Sequence, residues 1–392
     1  MHVESNLEKR QGQPNPLAFH LGATLINMQQ EMLSGHIADP VSEFKNNLAE
    51  MHKILAALKT WQHHPFHRKN HGRPVVWQSG SSRLFDYGAQ SKTVSAPPVL
   101  VIPSLVNKPY ILDLSSENSL MQMLVAAGLR PYLLDWGTPE TAESEFDLTT
   151  YILSRAMPAL NKIHRISGAK VGIMGYCMGG TIAASMALLT SKVNCLCTIG
   201  APWDFYRPTG NRLLLQQMGA PDNGKNLQIL IRNLSYAFGN LPFVFLQALF
   251  AAIDPAQFGD KFLRFNQMDP TSKDGQNFVA IEDWLNDGVP LTGPVADDLL
   301  VKWHIQNQIN NGLWRIGNTV IDATKISLPG MFVCGKSDII APPETTFALP
   351  EQVKNATIIQ PDTGHVGMIV GSKSREQVIL PIAKFLLKHA KN

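Results

Sequence analysis

The chain has 392 residues, 44% of them hydrophobic and 17% charged, with a formal net charge of +3. That is long enough for a large core with an insertion, and the small charge gives no footprint for nucleic acid or an acidic surface. Four cysteines suggest no disulfide framework, and the first ten residues carry no apolar signal core; a reducing cytoplasm is the expectation.

Residues 1–70 read as mostly helical. The stretch Asn47–Leu58 carries apolar residues at helical spacing. His63, His64, His67 and His71 then cluster. Pro65 interrupts them, and no Cys, Asp or Glu stands nearby, so the expectation is a solvated basic linker with no metal.

From about residue 75, short apolar runs alternate with helical segments. Strands are expected at 98–102, 131–135, 170–174 and 193–199, with helices near 117–127 and 148–166. This alternation predicts a mostly parallel sheet with helices on both faces. After the first strand, Pro103–Lys108 is the loop expected to offer an oxyanion donor, the amide of Val106.

Gly175-Tyr176-Cys177-Met178-Gly179 has the G-x-nucleophile-x-G form of a strand-to-helix elbow, with cysteine at its centre. Such a turn forces the nucleophile into backbone angles that neighbouring side chains would obstruct, hence the flanking glycines. A helix N-terminus beneath the sulfur favours thiolate over thiol. The amide of Met178 is the expected first oxyanion donor. By itself the pentapeptide fits equally well a glycine-rich turn with a buried cysteine. Cys195 and Cys197 alternate on the next strand and read as core.

Residues 202–325 interrupt the alternation and occupy the position of an inserted cap. Their apolar run Phe243–Ile253 is too short to cross a bilayer; it reads as a buried cap helix, or alternatively as an acyl path. The alternation resumes with a strand at 328–335, ending in glycine, whose following loop carries Asp338. Another strand, 356–360, leads to a loop carrying His365, and a helix at 374–389 ends the chain. Nucleophile, acid and histidine thus come in the chain order of elbow hydrolases, each after a strand. Cys177, Asp338 and His365 are the expected triad.

Several segments resemble the polyhydroxyalkanoate synthases. They are Pro109-Tyr110-Ile111-Leu112-Asp113-Leu114, Glu117–Leu120, Tyr132-Leu133-Leu134-Asp135-Trp136-Gly137, the Gly175–Gly180 box and Pro202-Trp203-Asp204-Phe205. Ile281–Trp284 and Asn310-Asn311-Gly312 are similar too, less specifically. The resemblance runs from about residue 75 to the C-terminus, while Asn286–Pro294 matches none of these motifs. It implies an α/β-hydrolase fold with an inserted cap: core 71–201 and 326–392, cap 202–325. It also implies that Cys177 carries an acyl group taken from a 3-hydroxyacyl-CoA, with CoA as substrate rather than cofactor. The implied partners are the growing polyester and, at this length, a second synthase subunit or a second copy of the chain, at a polyester granule surface. A hydrolase on the same scaffold, such as an intracellular depolymerase or thioesterase, is the alternative. A non-catalytic granule protein is a third reading, opposed by the intact triad.

Overall fold

The computed structural model describes residues 21–22, 24, 40–69, 72–89, 96–206, 219–254 and 256–390. Two compact units result: residues 1–69 with 244–287, and residues 70–243 with 288–392. This division differs from the expected boundaries at 202 and 325. Residues 244–287 of the expected insertion fall in the unit that holds the N-terminal segment, and its described flanking residues in the unit that holds the sheet.

In the first unit, the helix Pro40–Gln62 presents Ile54, Ala57, Leu58 and Trp61, one helical face, to Phe258, Phe262, Phe265 and Val279. The Trp61 indole N–H donates to Asp283 at 3.0 Å, and Lys261 pairs with Glu282 at 2.8 Å. An edge-on Trp61–Phe262 contact and a stacked Phe265–Phe278 pair each add about 0.5–1.5 kcal/mol beyond their buried area. His64 is buried here, contrary to the solvated linker expected. Its Nε2 donates to the Pro270 carbonyl at 2.8 Å, and its Nδ1 accepts from the Phe66 amide at 3.1 Å. Both ring nitrogens are therefore engaged. His71 lies outside the described residues. The helix Phe243–Ile253 is buried at Leu246, yet Val244 and Phe250 are 43% and 40% exposed. Its run of apolar residues circles the helix, so one packed face leaves others open.

In the second unit, eight strands form one sheet: β1 (Val75–Ser79), β2 (Ser82–Asp86), β3 (Pro98–Ile102), β4 (Arg130–Asp135), β5 (Val171–Tyr176), β6 (Val193–Ile199), β9 (Gly330–Val333) and β10 (Ala356–Ile359). A separate hairpin joins β7 (Arg315–Ile316) and β8 (Thr319–Val320). The spatial order is β1-β2-β4-β3-β5-β6-β9-β10. β1 and β2 pair antiparallel, β2 runs antiparallel to β4, and the remaining pairings are parallel. Every residue of β3, β5 and β6 is buried, as expected of central strands covered on both faces. Glycines show the covering directly. Leu386 of the helix Leu380–His389 packs on Gly172, while the helix Met178–Leu189 packs on Gly175. These positions are an odd number of residues apart in β5, so the two helices lie on opposite faces. The loops after β3, β5, β6, β9 and β10 all leave from the same edge of the sheet, where open α/β sheets bind ligands.

Candidate active site

Cys177 sits between β5 and the helix Met178–Leu189 at φ 55°, ψ −130°. Cys177, Asn223 and Asn307 are the non-glycine residues with positive φ among those described. For cysteine such a conformation costs about 1–3 kcal/mol and persists only where the surroundings impose it. They do so here. The Cys177 amide donates to the Ile199 carbonyl and its carbonyl accepts from the Gly180 amide, both at 2.8 Å. A Cβ at Gly175 would overlap the Gly179 carbonyl, one at Gly179 the Ile102 carbonyl, and one at Gly180 would lie 2.6 Å from Ala201. The elbow is thus pressed against the ends of β3 and β6. Cys177 is partly exposed, whereas Cys195, Cys197 and Cys334 are buried. Burial pushes those three thiols up, Cys195 to about 12 and Cys334 to about 11, which leaves them protonated and unreactive at neutral pH.

The loops after β9 and β10 supply the other two groups. His365 Nδ1 donates to Asp338 Oδ2 at 2.7 Å, and both side chains are buried. The second carboxylate oxygen, Oδ1, accepts from the amides of Ile340 and Ala341, each at 2.8 Å. Asp338 is thereby held by its own turn and aims one oxygen at the imidazole. The Cys177 sulfur lies near enough to raise the His365 pKa together with Asp338, so the three expected residues come together at the loops after β5, β9 and β10. Burial disfavours a charged imidazole, but the Asp338 carboxylate and the Cys177 sulfur outweigh it and push His365 up to about 10.

Two supports of His365 were not anticipated from the sequence. Tyr176 donates its hydroxyl to the His365 carbonyl at 3.3 Å, and their rings lie 5.0 Å apart. Gly200, at φ 57°, would place a Cβ 3.0 Å from His365 Cε1, so only glycine lets the imidazole lie against the end of β6. Tyr176 lay in view within the elbow pentapeptide; Gly200 gave no signal beyond ending a strand.

Met178 is the first residue of its helix, so its amide has no carbonyl one turn back to serve and stays available beside the sulfur. The Val106 amide donates to Ser104 Oγ at a long 3.3 Å, and the Val106 carbonyl accepts from Val289 N at 2.9 Å. An oxyanion at Val106 must therefore displace, or share, the Ser104 hydroxyl. The loop itself is held by Trp136, whose indole N–H donates to the Pro103 carbonyl at 3.1 Å. Ser81 and Ser82 hydroxyls donate to the Trp136 carbonyl at 2.7 and 3.0 Å. The motif aspartates are structural in the same sense. Asp113 accepts from Tyr87 at 2.9 Å and Ser119 at 2.5 Å, and Asp204 accepts from Asn307 at 2.8 Å.

The alpha/beta hydrolase fold family model matches residues 97–372. The chain belongs to the alpha/beta hydrolase fold family. A second model, poly-beta-hydroxybutyrate polymerase (PhaC) N-terminus, matches residues 68–124, ahead of and into this alpha/beta hydrolase core. The chain is 29% identical over 305 residues to the poly(3-hydroxyalkanoate) polymerase subunit PhaC of Haloferax mediterranei, covering 76% of this chain and 60% of that protein. It is 28% identical over 320 residues to the subunit of the same name from Synechocystis sp., covering 80% and 84%. It spans about two thirds or less of the two haloarchaeal relatives, 60% for Haloferax and 66% for Haloarcula marismortui. Among solved structures, a soluble variant of monoglyceride lipase from Saccharomyces cerevisiae matches with a TM-score of 0.51 at 13% identity, over 83% of this chain and 97% of the lipase. That likeness bears on the fold alone. Among the described residues no helix is long and apolar enough to cross a membrane.

Proposed function

We propose that this chain is an acyltransferase of the polyhydroxyalkanoate synthase type, polymerising 3-hydroxyacyl units from CoA thioesters through an acyl group carried on Cys177. The observation that carries this reading is a cysteine, rather than a serine, at the strained centre of the elbow and beside the His365–Asp338 pair. Similarity to named polymerase subunits over about four fifths of the chain supports it.

The chemistry follows from the residue types. The Cys177 sulfur attacks the thioester carbonyl. The oxyanion forms against the Met178 amide and, once Ser104 gives way, the Val106 amide. The C–S bond to CoA breaks, and protonated His365 gives its proton to the departing thiolate. Exchange of one thioester for another is near thermoneutral, so the acyl group keeps its reactivity. Neutral His365 then takes the proton of a 3-hydroxyl group, whose oxygen attacks the acyl carbon. An ester forms, and the Cys177 sulfur leaves to rejoin the imidazolium. Asp338 holds the ring in the tautomer that these steps need.

The proposed partners are the 3-hydroxyacyl-CoA, the growing polyester and a second, helical synthase subunit, with a pair of identical chains as the other assembly. The proposed location is the cytoplasm, at the polyester surface. Purified protein incubated with 3-hydroxybutyryl-CoA tests the reading. Thiol release and an acyl adduct on the Cys177 peptide should appear, with polymer once the second subunit is added. Thiol release with the adduct on another cysteine, or with no adduct on any, would reject it.

A further inference from the structure

Strand register sets Ser104 beside the reacting sulfur. β3 and β5 are parallel neighbours, and Ile102 pairs with Gly175 in their ladder. Two residues further along each chain come Ser104 and Cys177, leaving the same edge of the sheet. The elbow then stays against the loop, for a Cβ at Gly179 would overlap both the Ile102 and the Pro103 carbonyls. The loop is tied down on either side of Ser104. The Pro103 carbonyl accepts from the Trp136 indole N–H at 3.1 Å, and the Val106 carbonyl accepts from the Val289 amide at 2.9 Å. Within Pro103–Val106, Ser104 alone is not buried, and Cys177 is likewise partly exposed.

The Ser104 hydroxyl is only half used. Its oxygen accepts from the Val106 amide at 3.3 Å, a long bond that is cheap to give up. A hydroxyl also has one proton to donate, and among the described residues that proton has no acceptor. Two donors 3.3 Å apart can both reach a third atom at about 2.8 Å. An oxyanion that draws the Val106 amide off Ser104 Oγ therefore also comes within reach of the hydroxyl.

We infer that Ser104 donates its hydroxyl proton to the oxyanion, as a third donor beside the Met178 and Val106 amides. As the Cys177 sulfur bonds to the carbonyl carbon, the π electron pair moves onto oxygen; it returns when the bond to CoA breaks. The Ser104 O–H bond stays intact throughout, so this group stabilises charge and transfers no proton. A donor that meets its acceptor only as charge develops raises kcat rather than tightening substrate binding. The inference rests on Cys177 as the acyl carrier and adds a catalytic residue to that step.

The test measures the rate of the first CoA release from 3-hydroxybutyryl-CoA, using the full chain with any second subunit its activity needs. Ser104→Ala should slow acylation roughly 100-fold, the lower end for one oxyanion donor, with KM little changed. Ser104→Thr keeps the hydroxyl and should recover most of that loss. Inhibition by the trifluoromethyl ketone analogue of the substrate, which forms a tetrahedral oxyanion on Cys177, should weaken by a similar factor in Ser104→Ala. Ser104→Gly, which also lacks the hydroxyl, repeats the measurement should Ser104→Ala fold poorly. If Ser104 only occupies the Val106 amide before reaction, its removal frees that amide, and acylation holds steady or quickens. Either of those results, or a slowed variant that binds the ketone as tightly as before, would overturn the inference and leave the acyltransferase reading standing. No CoA release by the unaltered protein would overturn that reading, and this assignment with it.

Discussion

Cys177 differs from the other three cysteines in every respect that bears on reactivity. It is partly exposed, held at positive φ and close to the His365–Asp338 pair, while the others are buried thiols. Cys177→Ala should therefore lose several orders of magnitude in acyl transfer while the fold survives. Intact-mass analysis after substrate addition checks this: an adduct on Cys195, Cys197 or Cys334 would contradict it. His365 and Asp338 share one hydrogen bond and one charge, so their losses should not multiply. His365→Ala and the double change His365→Ala/Asp338→Asn should have nearly equal rates; a product of two independent losses would argue against a triad.

His365 also gives the fold a pH dependence. The folded protein keeps its proton up to about pH 10, whereas an unfolded chain releases it near pH 6.5. This contribution is complete below about pH 6.5 and is lost as pH rises through about 10. Urea midpoints of the unaltered protein and of His365→Gln should accordingly converge between about pH 6 and pH 10. A gap that stays constant over that range would show that His365 holds no such proton.

At the scale of elements, the elbow depends on a close approach of backbone to backbone. Gly175→Ala would place a Cβ into the Gly179 carbonyl, which cannot move aside, and should destabilise by roughly 1–3 kcal/mol or more. Gly172→Ala, in the same strand, meets only the flexible end of Leu386 at 3.1 Å and should cost less. Thermal melts of the two variants check the order; equal shifts would mean the elbow is not the constraint. Much of this element was legible from the sequence. Buried parallel strands read as continuous apolar runs, and β3, β5 and β6 fall close to where those runs stand. The pairing of Asp338 with His365 was legible because both follow strands in a fixed order. The β1–β2 hairpin was not anticipated, since edge strands with mixed burial carry little periodic signal. Nor was the pairing of the helix Pro40–Gln62 with Phe258–Phe265, about two hundred residues away. Periodicity marks an apolar face but does not say which distant face covers it. The Ser104 bond to the Val106 amide was likewise illegible, because it depends on loop geometry.

At the scale of the whole molecule, the open question is what the acyl group meets after CoA leaves. The chain covers 84% and 87% of two relatives named as polymerase subunits, on an alpha/beta hydrolase fold. A triad of this kind activates water as readily as a hydroxyl. On the present account the chain alone has weak activity and forms polymer with a second subunit. The measurement that separates the outcomes is the ratio of free 3-hydroxy acid to CoA released from 3-hydroxybutyryl-CoA, with and without a candidate partner. A synthase gives CoA with little free acid, and the partner speeds CoA release. A ratio near one, untouched by any partner, would contradict the account and make the protein a cysteine hydrolase.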